Sequence, residues 1–168
     1  MTVWWITLAS SYLLCLVAGM NAKTVYSNGH YTKKYNKFFS FMSVAILVLV
    51  AGLRSGIGDT PTYIQGYKTD APSTIAGSIK LLFSGKKDAG FYFYQGILKS
   101  IVNNPNVFIF VTSLITIVLI FITYYKYSQL LELSVFLFIT TGCYLVTMNG
   151  IRQYLASAIL FFCFLLNT

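Results

Sequence analysis

The sequence predicts an all-α fold, a multi-pass transmembrane helical bundle of about five spans with a long extracytoplasmic loop carrying short interfacial helices. Three observations carry that expectation. Hydrophobic residues make up 57% of the 168, charged residues 10%, and the mean hydropathy is +0.70. Several apolar runs approach the roughly 20 residues that a helix needs to cross bilayer hydrocarbon. Those runs are continuous, whereas the strands of a membrane β-barrel alternate apolar and polar residues. The whole chain, 1–168, reads as a single transmembrane domain.

The first predicted span covers about 3–20, with Trp4 and Trp5 placed at its start as an interfacial anchor. Its flank lacks the basic residues of a cleaved leader, the first charge being Lys23, so the helix reads as retained. The loop 21–37 holds Lys23, Lys33, Lys34 and Lys37 and no acid. The second span, about 38–53, is short and ends at Arg54; flanking lysines can snorkel to the interface. The outer loop 54–106 opens with the turn-rich Ser55-Gly56-Ile57-Gly58-Asp59-Thr60-Pro61. Within it Ile75, Ile79 and Leu82 share one helical face, and Phe91, Tyr94, Leu98 and Ile101 another, the pattern of helices lying on an apolar surface. A third span covers 107–125, preceded by Pro105. A fourth covers 133–148, and a fifth runs from 150 to 166. The chain then stops at Asn167-Thr168 with no cationic flank, so it reads as the N-terminal part of a longer polytopic protein.

The four lysines of 21–37 put that loop in the cytoplasm by the positive-inside rule. The N-terminus, the loop 54–106 and the turn at 149–153 then face the other side. The 54–106 loop carries six basic and three acidic residues, so the bias lies in charge density. The net charge of +8 is spread over loops between apolar segments, which suits anionic lipid and topology rather than nucleic acid. Cys15, Cys143 and Cys163 each sit in an apolar run with no CxxC spacing and read as small buried hydrophobes. There is no phosphate-loop glycine pattern, zinc spacing or nucleophile elbow, so no cofactor and no metal are expected. His30 lies among cytoplasmic lysines, outside any catalytic pattern.

Three constellations could carry chemistry. Asn149-Gly150-Ile151-Arg152-Gln153 puts a cation and two amides between two apolar runs, where an arginine is costly. Asn149 is a good N-cap, which would set Arg152 in the first turn of the fifth helix. Asn149, Arg152 and Gln153 are spaced to share a face. Guanidinium and free helix N–H groups together suit a phosphate. The plain structural account is an arginine snorkelling to lipid phosphate. The second constellation is Arg54…Gly58-Asp59…Tyr63. Asp59 could pair with Arg54 or Arg152, act as a base toward a sugar hydroxyl, or simply form the turn before Thr60-Pro61. The third is Asp88-Ala89-Gly90-Phe91-Tyr92-Phe93-Tyr94, a carboxylate beside four aromatics, either a sugar-binding lip or interfacial rings with a capping Asp.

These three segments, in this order along almost the whole chain, resemble the EpsG-like membrane proteins of bacterial exopolysaccharide clusters, which are related in kind to Wzy-type polysaccharide polymerases. The family's usual Glu-Pro before the glycine is Asp88-Ala89 here. The resemblance covers the N-terminal half of such proteins. It implies a glycosyltransferase of the bacterial cell membrane that polymerises polyprenyl-diphosphate-linked oligosaccharide units at the outer face. It also implies contact with the lipid bilayer and with other polysaccharide-assembly membrane proteins. Arg152, Arg54 and Asp59 are the implied catalytic residues. Arginines would stabilise the lipid diphosphate as it leaves, and Asp59 would take the proton of the attacking hydroxyl. Asn149, Gln153, Tyr63, Asp88 and Tyr92 would contact substrate. Two other readings stay open: a non-catalytic membrane partner of an assembly or export complex, and a small transporter, for which no internal repeat is visible.

Overall fold

The computed structural model describes residues 2–27, 30–85 and 87–166. Helices α1 (Thr2–Met20) and α2 (Lys37–Gly52) flank a hairpin of β1 (Lys23–Ser27) and β2 (His30–Lys34). Then follow α3 (Thr60–Thr69), α4 (Ile75–Leu82), α5 (Ala89–Ile101), α6 (Pro105–Tyr127), α7 (Leu131–Thr140), α8 (Cys143–Asn149) and α9 (Ile151–Leu166). The all-α class holds, with one correction: 21–37 contains an antiparallel hairpin whose register pairs Lys23 with Lys34 and Val25 with Thr32. The side chain of His30 lies outside the described residues.

α6 is the axis of the bundle. It packs against α2 and α9 on its flanks and against α3 and α5 near its N-terminus, while α1 packs on α2 and α7. Two helices, Thr2–Met20 and Pro105–Tyr127, are long and apolar enough to cross a membrane; the bent pair α7–α8 makes a third if it counts as one span. α2 and α9 are shorter apolar helices. The core is apolar, but large apolar side chains also face outward and several small polar ones are buried. Trp5, Phe38, Phe41, Leu160 and Phe164 lie outside, while Thr7, Ser11, Ser43, Thr112, Ser113 and Thr116 are buried. The buried hydroxyls bond helix carbonyls one turn back: Thr7 to Val3, Ser11 to Thr7, Thr112 to Phe108 and Thr116 to Thr112. Hydrocarbon offers no hydrogen-bond partners, so such polar groups must be satisfied internally. Small side chains also let α1 and α2 approach closely, and there Ser43 donates to the Ser11 carbonyl and Cys15 to the Ser43 hydroxyl. Cys15 is buried as expected; Cys143 and Cys163 are instead on the chain's surface.

The predicted span at 133–148 is not one straight helix. α7 ends at Thr140, and α8 starts at Cys143 after a 56° bend. Gly142 sits at the break with φ +82°, a left-handed conformation that stops an α-helix of L-residues.

The connections gather at two ends. At one, the Tyr35 hydroxyl donates to the Gln129 carbonyl and accepts from the Leu131 N–H, and the Tyr125 hydroxyl bonds the Tyr35 carbonyl. These bonds tie the hairpin exit to the α6–α7 connection. At the other end, Arg54 ties the exit of α2 to the α8–α9 junction, and α3 and α5 pack beside it.

Candidate functional site

The site grows from that second end. Helix α3 begins at Thr60 with Pro61 in its first turn, a place where proline's missing N–H and fixed φ favour a helix start. The turn signals of 55–61 thus lead directly into a helix. Asp59, Thr62, Tyr63, Gly66 and Asp70 fall at helical spacings of three and four. They form one wall of a cavity of about 350 Å³. Phe91, Tyr92 and Gln95 of α5 form a second wall, and Arg152 of α9 closes it. Aromatic packing fixes α3 and α5 against each other and against α6. Tyr67 stacks on Phe108 at 4.7 Å, Phe91 meets Tyr63 and Phe108 edge-on, and the Tyr94 hydroxyl bonds that of Thr112 at 2.9 Å.

Arg152 stands in the first turn of α9, as the sequence predicts, but the cap differs. Asn149 is the last residue of α8, and the Gly150 carbonyl accepts the Tyr154 N–H in the N-cap position. Arg152 Nη1 donates to Asp88 Oδ2 at 2.6 Å, the one ion pair among the described residues. Asp88 therefore does not cap α5 with its side chain. Its carbonyl serves the first turn instead, accepting from Phe91 N and Tyr92 N. Its φ of +63° is the one positive value among described residues other than glycine, a conformation Asp tolerates better than most. Both partners are partly open, at 39% and 27% exposure. An ion pair of that exposure contributes about 0–1 kcal/mol.

On the far side of this pair lies an apolar groove of about 450 Å³. Ile115 of α6 and Leu155, Ala156 and Ile159 of α9 line it, with Asp88 and Phe91 at its head. Arg152 and Phe91 belong to both the groove and the polar cavity. One guanidinium thus stands at the junction of a polar chamber and a greasy track.

Arg54 does something different. It is buried and lines neither space. Its Nε donates to Thr60 Oγ1 at 2.9 Å, Nη1 to Ser113 Oγ at 2.9 Å and to the Ala51 carbonyl, and Nη2 to the Met148 carbonyl at 3.0 Å. It clamps α2, α3, α6 and α8. Burial pulls its pKa down to about 10, which leaves it charged at neutral pH.

Of the residues selected from sequence, the fold brings Asp59, Tyr63, Tyr92 and Arg152 to one cavity and Asp88 to Arg152. Asn149 lines neither space. Its buried Oδ1 has no hydrogen-bond partner, and a Cβ at Gly58 would come within 1.6 Å of it. Gln153 is exposed and lines neither space. Asp59 pairs with neither arginine. Gln95, Asp70 and Thr62 were not selected. Gln95 follows Phe91 and Tyr92 by four and three residues, so helical spacing from the aromatic pair would have found it.

These features define a helical membrane protein with an internally paired arginine between a polar cavity and an apolar groove. The family model of the EpsG family matches residues 37–167. The chain belongs to the EpsG family, and it is a membrane protein related to exopolysaccharide biosynthesis. No curated protein and no solved structure gives a significant match.

Proposed function

We propose that this protein polymerises polyprenyl-diphosphate-linked oligosaccharide units at the outer face of the bacterial cell membrane. The observation that carries the reading is the position of Arg152 between two unlike spaces. A lipid-linked glycan has the same three parts in the same order: polar sugars, an anionic diphosphate and an apolar chain. Glycan would enter the cavity of Asp59, Tyr63 and Tyr92. The diphosphate would meet Arg152, and the polyprenyl chain would lie along Ile115, Leu155 and Ile159. The weak pair with Asp88 is replaceable, because a diphosphate offers more negative charge and bidentate geometry to the same guanidinium.

In the transfer, the bond between the anomeric carbon and the diphosphate oxygen breaks. A bond from an acceptor hydroxyl oxygen to that carbon forms. The hydroxyl proton passes to Asp59, and the electron pair leaves with the lipid diphosphate, stabilised by Arg152. Arg54 acts as a positioning residue that holds the ends of four helices around the site. The topology that serves this chemistry has five spans, with α2 and α9 short and α7–α8 bent. The N-terminus and 54–106 face outward. Other polysaccharide-assembly proteins are the expected neighbours.

Complementation of a deletion strain tests the reading. Wild-type chain restores polymer, whereas Arg152→Ala at equal membrane abundance lowers it at least about a hundredfold, the loss expected when one charge-stabilising donor is removed. Full polymer synthesis with Arg152→Ala would sink the catalytic assignment and favour a scaffolding partner.

A further inference from the structure

We propose that the polar cavity selects an uncharged or amino sugar and excludes an acidic one, with Gln95 as the residue that reads its hydroxyls. This rests on the reading that the cavity receives the glycan of a lipid-linked substrate, and it names the class of that glycan.

Two observations converge. The first is charge. Asp59 and Asp70 both line the cavity, and neither forms an ion pair with a described residue. Among the described residues the one cation on the wall is Arg152, which is already paired with Asp88. No described lysine lines the space. A diphosphate bound at Arg152 would take up that cation as well. The sugar therefore meets two carboxylates and no free positive charge. Carboxylates accept hydrogen bonds from hydroxyl or ammonium groups, but a uronate or other anionic sugar would be repelled within a few ångströms.

The second observation is Gln95. It is 2% exposed, it lines the same cavity, and its buried side-chain Oε1 accepts no hydrogen bond from any described residue. A buried amide oxygen left without a donor costs free energy, and native proteins carry few of them. A sugar hydroxyl can donate the hydrogen bond that this oxygen lacks. Phe91 and Tyr92 lie one turn earlier on α5 and offer flat faces for the C–H side of a pyranose ring. Gln95 therefore supplies polar recognition, the rings supply stacking, and Asp59 and Asp70 supply the charge filter.

The experiment uses the full chain in phospholipid nanodiscs, because glycoside detergents would compete for the cavity. Saturation-transfer NMR is read with methyl glucoside, N-acetylglucosamine, glucosamine and glucuronate as probes. The first three give transfer on wild type, and glucuronate gives about tenfold less. Gln95→Met, close in volume and apolar, weakens the neutral probes about tenfold, the change that one lost hydrogen bond of about 1.4 kcal/mol makes. Asp70→Asn, at an exposed position that packing does not constrain, raises the glucuronate signal. Equal transfer from glucuronate and methyl glucoside on wild type overturns the charge filter. Unchanged neutral-sugar binding in folded Gln95→Met overturns the role of the amide, and no transfer from any probe overturns the proposal altogether. Arg152→Ala separates the two readings. Retained sugar selectivity with lost polymer keeps both. Retained selectivity with full polymer keeps this one and removes the diphosphate role.

Discussion

At the scale of single residues, two motifs that the sequence holds some ninety positions apart prove to be one piece of structure. Gly58 presses its backbone on the Asn149 side chain, and Arg54 bonds the Met148 carbonyl. The glycine is needed twice: its φ is +55°, and a Cβ would collide with Asn149 Oδ1. Gly58→Ala should therefore cost roughly 2–4 kcal/mol, more than the 1–2 kcal/mol of a left-handed alanine alone. A thermal unfolding series in nanodiscs checks this, and Asn149→Ala combined with Gly58→Ala should recover the steric share of the loss. Asp88 gives a prediction of opposite sign. Asn tolerates the left-handed conformation as Asp does, so Asp88→Asn removes the charge and keeps the backbone. If Asp88 is a displaceable counter-ion, inorganic pyrophosphate should bind the variant about fivefold more tightly by calorimetry, the share of an exposed ion pair of about 1 kcal/mol. Weaker binding would mean that Asp88 orients Arg152 rather than masks it. The family resemblance implies a catalytic Arg54, and nothing in spacing distinguishes a surface arginine from one that donates inward to four elements. That difference is set by tertiary packing.

At the scale of elements, legibility followed apolar periodicity. α1, α2, α6 and α9 lie within a few residues of the predicted runs, and α4 and α5 match the two amphipathic faces read in 54–106. Where periodicity was silent or competed with a turn signal, the reading failed. α3 has a mostly polar, cavity-facing stripe and starts at Thr60-Pro61, where the signals of a helix start and of a turn coincide. In the sequence Asn28-Gly29 stands between two β-capable stretches, a strong turn signal. The α7–α8 break hides in an apolar run because Gly142 looks like any small residue of a membrane helix. Its conformation, φ +82° with no atom within 4 Å of an added Cβ, allows a clean test. Gly142→Ala should cost about 1–2 kcal/mol from backbone strain alone, and Gly142→Asn less, since Asn visits this region more readily. Equal costs for the two would show that the bend relaxes to a straight span.

At the scale of the whole molecule, two ends with different chemistry set the function. The hairpin end gathers Lys23, Lys33, Lys34, Lys37 and Lys126, while the opposite end mixes Arg54, Lys68, Lys80, Lys87, Lys99 and Arg152 with Asp59, Asp70 and Asp88. The first end is uniformly basic apart from the partly buried Glu132, whose Oε2 has no hydrogen-bond partner. The second holds the cavity, the paired arginine and the head of the groove. The proposed topology, which follows the positive-inside rule, puts the hairpin end in the cytoplasm and the cavity at the outer face, where lipid-linked repeat units would be joined. Exposed Lys33 and Lys80 mark the two ends. In a background with the three native cysteines replaced, Lys80→Cys should react with a membrane-impermeant maleimide on intact cells, and Lys33→Cys after permeabilisation alone. The reverse pattern would turn the cavity to the cytoplasm and remove outer-face polymerisation. The charge-filter argument for the cavity would survive that result, because it depends on the site's own carboxylates rather than on the side of the membrane they face.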